Sequence, residues 1–562
     1  MDAYKIETIP LGVSHIPPVQ PKSLTLKMGS INGPGAKKLN CDIVFTQDVP
    51  VRMRDGVTIY VDVFKPVTTE KVPAILAWGP YGKSLHKLDF PWFVTADRLS
   101  GLQAFEGPDP GFWCEKGYAV VNADARGACN SEGILQQWGT TEGSDVSDCI
   151  EWISSQDWCN GNVGMSGTSW LAIIQWHTAA LRPPALKAIA PWEGCSDGYR
   201  QTIAKGGIVN TVMDIGVFKT LIQGKNGAES TPTMAAKYPL FNAYWETKEA
   251  KVENIEIPVY VVASYTNINH SVGTFETWCD LGSEKKWLRI HNTHEWHDYY
   301  SHETDLLRFF DRYLKNLDND WETTPKVRMS VLDPGRWDVV DRPEEDFPIP
   351  RTRYETLFLD AETMSLSAEK PQLHSICAYD SEDKDNAAVF SFCVPERIEL
   401  SGYMKLRIWV AAEITDDFEL FVYQRKADGH KSPMLPVVYG AEMSGFDGLK
   451  FLGTSGWLKA SLRKSAGLRT DGMRVVREFR ERDNPVPGDP VLMEITLSPM
   501  AMNFYPGEHL QLVVSGYPLN PTDSVCALDP EGARFESCNR GKHVIHTGGQ
   551  YDSDLTIPII PA

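Results

Sequence analysis

Ser169 stands in Gly167-Thr168-Ser169-Trp170-Leu171-Ala172, directly after an apolar, strand-like run over residues 163–165 and before the helix-like LAIIQWHTAA. A serine on a sharp strand-to-helix turn is lifted above its sheet, small neighbours let the backbone turn, and the helix N-terminus favours developing negative charge. That is the chemistry of a nucleophile in acyl transfer. The same residues also suit an ordinary N-cap serine, because GxSx is common and Leu171 stands where a second glycine is usual. Further along, HNTHEWHDYYSH holds His291, His294, His297 and His302 after a strand-like run. Such a cluster can supply a general base, with His297 and His302 expected in solvent. Its spacings of three argue only weakly for a metal, and neither metal nor cofactor is expected.

These groups need a scaffold. Residues from about 40 to 320 alternate apolar β-type runs with helix-type segments, the pattern of a mostly parallel sheet covered on both faces. AILAW (74–78), YAVVNAD (118–124), VGMSG (163–167), LKAIAPW (186–192), VYVVASY (259–265) and KWLRIH (286–291) read as strands, and residues 141–156 as a helix capped by Thr141 or Ser144. Residues 196–255 lack a clear strand and read as a helical insertion, placed to roof the crevice beyond the carboxyl ends of the strands. DLLRFFDRYLKN (305–316) reads as an amphipathic helix that closes the domain. After Pro325 come short alternating strands with Gly, Pro and Asp turns, the texture of a β-sandwich or jelly roll. The expected division is an N-terminal extension over 1–40, a catalytic α/β domain over 41–195 and 256–322, a helical cap over 196–255 and a jelly-roll domain over 323–562, with PEEDFPIP as linker.

At 562 residues the chain exceeds what one core can hold, so two or three domains are expected. Lys and Arg number 55 against 74 Asp and Glu, a formal charge of −19, with no basic block. Nucleic acid is therefore not expected as a partner, since backbone binding needs clustered cations. The N-terminus has no basic stretch followed by an apolar core, and no apolar run approaches about 18 residues, so no membrane partner is expected either. Eleven scattered cysteines, without a CxxC pair, suggest reduced thiols in the cytoplasm. The expected partner is a small-molecule substrate; the oligomeric state is not legible, and a homodimer stays open.

The stretches VRMRDGVTIYVDVFKP, AWGPYGKS, GYAVVNADARGACNSEG and IEWISSQDWCNGNVGMSGTSWLA, followed by ELSGYMKLRIWVAA, GWLKASLR and NFYPGEHLQLVVSG, resemble the cocaine esterase / Xaa-Pro dipeptidyl-peptidase (S15-like) family in order, spacing and wording. The resemblance implies an α/β-hydrolase fold with an inserted helical cap, followed by a C-terminal jelly-roll β-sandwich. It implies Ser169 as nucleophile, the Trp170 backbone N–H and the Tyr81 hydroxyl as oxyanion donors, and His291 as the base, with His294 as runner-up. A buried packing aromatic is the plainer role for Tyr81. Relatives commonly carry an aspartate after the strand that ends near residue 264, but Asn267 occupies that place here, and Asp298, Glu295 or Glu276 are open substitutes. Asparagine can hold an imidazole but cannot stabilise imidazolium by charge. His270 resembles a pocket-lining histidine of some relatives, a plain loop residue being the other reading. Asp124, Arg126 and Glu132 match a family motif and read as a buried scaffold. Trp192, Tyr199, Trp245 and Phe275 are candidates for facing substrate or for plain core.

The function so implied is a serine esterase or acyl hydrolase that cleaves an ester or amide of a compact acyl group through an acyl-enzyme. An ester is favoured over an Xaa-Pro peptide because no carboxylate anchor for a free amine can be assigned. Asn267 motivates a second reading, a non-hydrolytic isomerase, cyclase or lyase on the same fold. A non-catalytic binding protein is a third, against which the serine turn and the tyrosine both stand.

Overall fold

Eleven strands form one twisted sheet among the residues described in the computed structural model, which are 4–14, 16–83, 94–267, 269–436, 453–526, 529 and 531–561. Their order is Val339–Glu344, Val327–Val331, Lys286–His291, Val259–Ser264, Leu186–Trp192, Cys159–Thr168, Val72–Gly79, Ala119–Asp124, Thr58–Pro66, Ile43–Arg52 and Lys22–Leu26. The seven from Val327–Val331 to Ala119–Asp124 pair in parallel, and the other four pair antiparallel with their neighbours. Val259–Ser264 and Ala119–Asp124 are buried at every residue, which is why they read as continuous apolar runs rather than alternating ones.

The strand order reverses at Val72–Gly79, which lies between Ala119–Asp124 and Cys159–Thr168. At such a switch point the connections leave in opposite directions and a crevice opens beyond the carboxyl ends of the strands. One face of the sheet is closed by the helix Glu303–Leu314, whose Leu306, Phe309, Phe310 and Leu314 are buried at helical spacing against Trp113, Tyr118 and Tyr260. Burial of each such side chain contributes about 1.5–3 kcal/mol. The helix sits close because Gly164 lacks a side chain: a Cβ there would meet Phe310 Cε1 at 2.8 Å. Gly164→Ala would therefore push the helix off the sheet.

Residues 196–255 carry the helices Val212–Thr220, Thr231–Lys237 and Ala243–Glu246 around a small core that includes Tyr199, Phe241 and Trp245. Beyond the linker, long strands such as Ile398–Ala412 and Val491–Phe504 pair antiparallel in a sheet of twelve described strands, the core of a β-rich domain. Among the described residues no helix is long and apolar enough to cross a membrane.

Three expectations need correction. The helix Thr140–Ser154 is preceded by Gly139 at φ 93°, where a Cβ would meet the Thr247 carbonyl oxygen at 2.5 Å, and Ser144 Oγ bonds back to the Thr140 carbonyl instead of capping. Val327–Val331 and Val339–Glu344 pair with the edge of the first sheet, so the segment expected to open the jelly roll begins with two strands of the α/β sheet. Lys22–Leu26 pairs with Ile43–Arg52, so residues 1–40 are not wholly outside the α/β domain. Backbone hydrogen bonding at sheet edges decides both boundaries, and alternation looks the same in either domain.

Candidate active site

Ser169 follows the strand Cys159–Thr168 and precedes the helix Trp170–Ala180. Its φ of 53° lies in the left-handed region, a strain of about 1–3 kcal/mol that tertiary contacts must hold. Its N–H donates to the Trp192 carbonyl at 3.2 Å, and its carbonyl accepts from Ala172 and Ile173. Leu171 fits without the usual second glycine because two other glycines make room: a Cβ on Gly167 would meet Leu171 Cβ at 2.6 Å, and one on Gly79 would meet Leu171 Cδ1 at 2.7 Å. Ser169 is thus not a side-chain N-cap; its side chain makes no capping bond to the helix.

His270 Nε2 lies 3.0 Å from Ser169 Oγ. His270 ends the loop after Val259–Ser264 and immediately precedes the helix Ser271–Asp280, whose first turn it joins through its N–H bond to the Asn267 carbonyl. Burial, with Lys205 adding to it, lowers its pKa to about 3, so the ring is neutral at rest and able to accept a proton. Its Nδ1 is buried without a hydrogen-bond partner among the described residues, so no carboxylate orients it.

The expectation that His291 reaches Ser169 is overturned. His291 Nδ1 accepts from the Thr293 N–H at 3.1 Å, which leaves the proton on Nε2. That nitrogen faces Glu193 Oε1 at 2.8 Å, off the line of a good hydrogen bond, and Asp298 Oδ2 at 3.4 Å. Both ring nitrogens are committed away from the serine. His294 caps the helix Glu295–Ser301 and lines the same cavity as Ser169. His302 is not in open solvent, since its Nδ1 lies 3.3 Å from Asp298 and its ring tilts over Trp192.

Asn267 also departs from expectation: it does not hold the imidazole. Its Nδ2 donates to Glu193 Oε2 at 2.7 Å and to Glu295 Oε2 at 3.0 Å, while its Oδ1 accepts from the Asn269 N–H. With both glutamate oxygens as acceptors, an aspartate could make neither of the first two bonds unless it or the glutamate supplied a proton, which gives the asparagine a structural reason and removes the motive for a non-hydrolytic reading. Burial raises the Glu193 and Glu295 carboxyls well above the ordinary range, Asp298 adding to the first and Glu193 to the second. Of the candidate substitutes, only Glu295 lines the cavity. Burial alone would raise the Asp298 carboxyl, yet Arg289, His291 and His302 hold it below the usual range; Glu276 is engaged by Arg474.

Tyr81 follows Val72–Gly79, packs edge-on against Phe105 at 5.1 Å, and presents its hydroxyl to Ser169. Trp170 begins the helix, and its indole N–H donates to Glu142 Oε1 at 2.9 Å, an oxygen that also accepts from Trp78. Sequence reasoning missed Glu106, whose carboxyl lies against Ser169 and accepts from Trp296 Nε1 at 3.1 Å. Its FEGPDP setting looks like an ordinary turn, and nothing local signals its burial. Ser169, His270, Tyr81, Glu106 and Glu295 share a cavity of about 170 Å³, walled by Trp138, Phe218 and Leu221 and reached by Trp457 from the second domain. Trp192, Tyr199, Trp245 and Phe275 are fully buried in the cores and do not line it. Arg126 binds Asp145 and Asp55, Asp124 lies 3.4 Å from Lys83, and Glu132 accepts from the Thr58 N–H, a scaffold arrangement.

Residues 55–232 match the family described as X-Pro dipeptidyl-peptidase (S15 family), and residues 319–556 match the X-Pro dipeptidyl-peptidase C-terminal non-catalytic domain. A cocaine esterase from Rhodococcus sp. is 27% identical over 372 residues, 56% of this chain and 62% of that protein. The chain therefore spans less than two thirds of the length of that relative. An Xaa-Pro dipeptidyl-peptidase from Lactobacillus helveticus is 29% identical over 190 residues, 25% of this chain and 24% of that protein. Among solved structures, a CocE/NonD family hydrolase from Staphylococcus aureus superposes with a TM-score of 0.88 at 32% identity, covering 98% of this chain and 99% of its own. An α-amino acid ester hydrolase shares the fold, with a TM-score of 0.67 at 16% identity over 92% of this chain and 97% of its own.

Proposed function

Because the chain belongs to the CocE/NonD family of hydrolases, we propose that it is a serine hydrolase that cleaves an ester of a compact acyl group through an acyl-enzyme on Ser169. The observation that carries this reading is the 3.0 Å contact between His270 Nε2 and Ser169 Oγ inside a cavity of about 170 Å³. Ser169 Oγ attacks the carbonyl carbon while its proton passes to His270 Nε2. The oxyanion so formed is held by the Tyr81 hydroxyl and the Trp170 backbone N–H, two donors worth about 3–4 kcal/mol each in a water-poor site. Loss of the alcohol leaves an ester on Ser169, which water hydrolyses.

Four carboxyls in the cavity wall, Glu106, Asp214, Glu295 and Asp523, favour a second reading in which the acyl group carries an amine, as in an Xaa-Pro dipeptide. Ester is kept first because burial raises the pKa of each of these carboxyls, which favours the neutral form and weakens attraction for an ammonium. The partner proposed is a small molecule, and the cytoplasm is proposed as the compartment, consistent with eleven scattered cysteines that form no CxxC pair. The test is labelling by a fluorophosphonate. Wild-type protein should label on Ser169 and hydrolyse short-chain esters faster than Xaa-Pro anilides, and Ser169→Ala should do neither. Label retained in Ser169→Ala would remove the nucleophile assignment.

A further inference from the structure

Glu106 is 4% exposed and stands at φ 66°, a left-handed conformation that a glutamate adopts only when its surroundings impose it. The surroundings here are those of the nucleophile. The Glu106 carbonyl accepts from the Thr168 N–H at 3.1 Å, one residue before Ser169, and its carboxyl rests against the Ser169 side chain on the wall of the same cavity. One carboxyl oxygen, Oε1, takes the Trp296 indole proton; the other, Oε2, is buried without a hydrogen-bond partner among the described residues. No Lys or Arg of the described residues forms an ion pair with this carboxyl. The titratable groups around it are Glu295 and Tyr300 from the helix Glu295–Ser301, Tyr81 from the end of Val72–Gly79, and His270, His294, Lys205, Asp214 and Asp523 on the cavity wall. Two proton carriers thus flank one serine oxygen in opposite states. Burial lowers the imidazole's pKa to about 3, while burial first and Glu295 second raise the carboxyl's well above its ordinary value. Environments that drive two titratable groups apart in this way mark an acid and a base.

We propose that Glu106 is a catalytic carboxyl that donates its proton to the leaving-group oxygen as the tetrahedral intermediate collapses, and then, as carboxylate, accepts a proton from the water that hydrolyses the acyl-enzyme. The inference rests on the serine-hydrolase reading above. In the first half-reaction the Ser169 proton moves to His270 Nε2, the bond from Oγ to the acyl carbon forms, and the bond from that carbon to the alcohol oxygen breaks as this oxygen takes the Glu106 proton. The enzyme then holds imidazolium and carboxylate on either side of the acyl ester, and Glu106 supplies the negative charge that His270 Nδ1 lacks. In the second half-reaction water attacks the acyl carbon and gives one proton to Glu106, the bond from that carbon to Ser169 Oγ breaks, and His270 returns its proton to that oxygen. Both groups end in their starting states.

The test compares two esters of one short acyl group, a p-nitrophenyl ester whose leaving group needs no proton and an ethyl ester whose leaving group does. Glu106→Gln keeps the side-chain shape and the acceptor for Trp296. It should lower kcat/KM for the ethyl ester at least about 100-fold more than for the p-nitrophenyl ester, the size of a lost general acid. It should also leave acyl-enzyme accumulating as a burst, because deacylation has lost its base. Equal losses on both esters, or none, would overturn the proposal. In wild type, independently of whether the variant folds, kcat/KM for the ethyl ester should fall as pH rises through the Glu106 ionisation, while the p-nitrophenyl ester does not follow it. Parallel profiles would also overturn it. Fluorophosphonate labelling separates the two levels: a labelled enzyme with parallel losses refutes Glu106 alone, and an unlabelled wild type refutes the hydrolase reading with it.

Discussion

Asn267→Asp replaces one oxygen-sized group and reverses a hydrogen-bond polarity between two buried carboxyls. The amide nitrogen now donates to Glu193 Oε2 at 2.7 Å and Glu295 Oε2 at 3.0 Å. Aspartate would present an acceptor to both, and each buried oxygen left without its donor costs about 1–3 kcal/mol. A protonated aspartate could restore one of the two bonds, so a net loss of about 3 kcal/mol is expected near neutral pH. With an unfolding entropy of about 2.1 cal/mol/K per residue over roughly 300 residues, that is a fall of about 5 °C in melting temperature. The loss should depend on pH with a definite sign. The new carboxyl, buried against two others, has a folded pKa raised above its unfolded value, so the folded state binds the proton more tightly. Its contribution is most favourable below the unfolded pKa, near about 3.9, and is lost as pH rises through the folded pKa. The deficit against wild type should therefore be smaller at pH 5 than at pH 8, as read by thermal melts in matched buffers. Esterase turnover should stay flat or fall, because residue 267 does not touch the His270 ring. A large gain in turnover with an unchanged melting temperature would refute this reasoning and restore residue 267 to the place of a triad acid.

The two histidines should separate cleanly. His270→Ala should lower kcat by at least about 10³-fold with a small effect on melting, whereas His291→Asn should lower the melting temperature and leave more activity, since it strands Glu193 and Asp298; the reverse ranking in paired kinetics and melts would reassign the base. Tyr81→Phe should lower kcat by about 10²–10³ with little change in KM, as expected of a donor that acts on the oxyanion, and an unchanged kcat would reduce Tyr81 to packing. Ser169→Ala, already the labelling control, should melt within a few degrees of wild type, because Oγ contacts the cavity groups rather than the core.

What the sequence by itself determined is local. The strand, turn and helix around Ser169 occupy consecutive residues, so the local sequence marks the serine as the turn residue, while contacts from Trp192 and Gly79 hold its left-handed backbone. Tyr81 is likewise carried by the end of its own strand, and the buried parallel strands announce themselves as continuous apolar runs. What the tertiary structure decided is which distant side chains meet that serine. His291 ends and His270 follows two parallel strands that lie side by side, Ser264 opposite His291 in register, and nothing in either local sequence says which ring will reach across. The loop that leaves Ser264 turns His270 toward Ser169, while the backbone N–H of Thr293 and the carboxyl of Glu193 take the two nitrogens of His291. Glu106, Glu193 and Glu295 come from three separate connections, and each looks like a surface acid until packing takes it out of water. The edge strands Val327–Val331 and Val339–Glu344 carry the same alternation as the second domain, so only their hydrogen-bond partners tell which sheet they join. Pairing and burial between residues far apart in the chain are properties of the whole fold, and a window of sequence does not contain them.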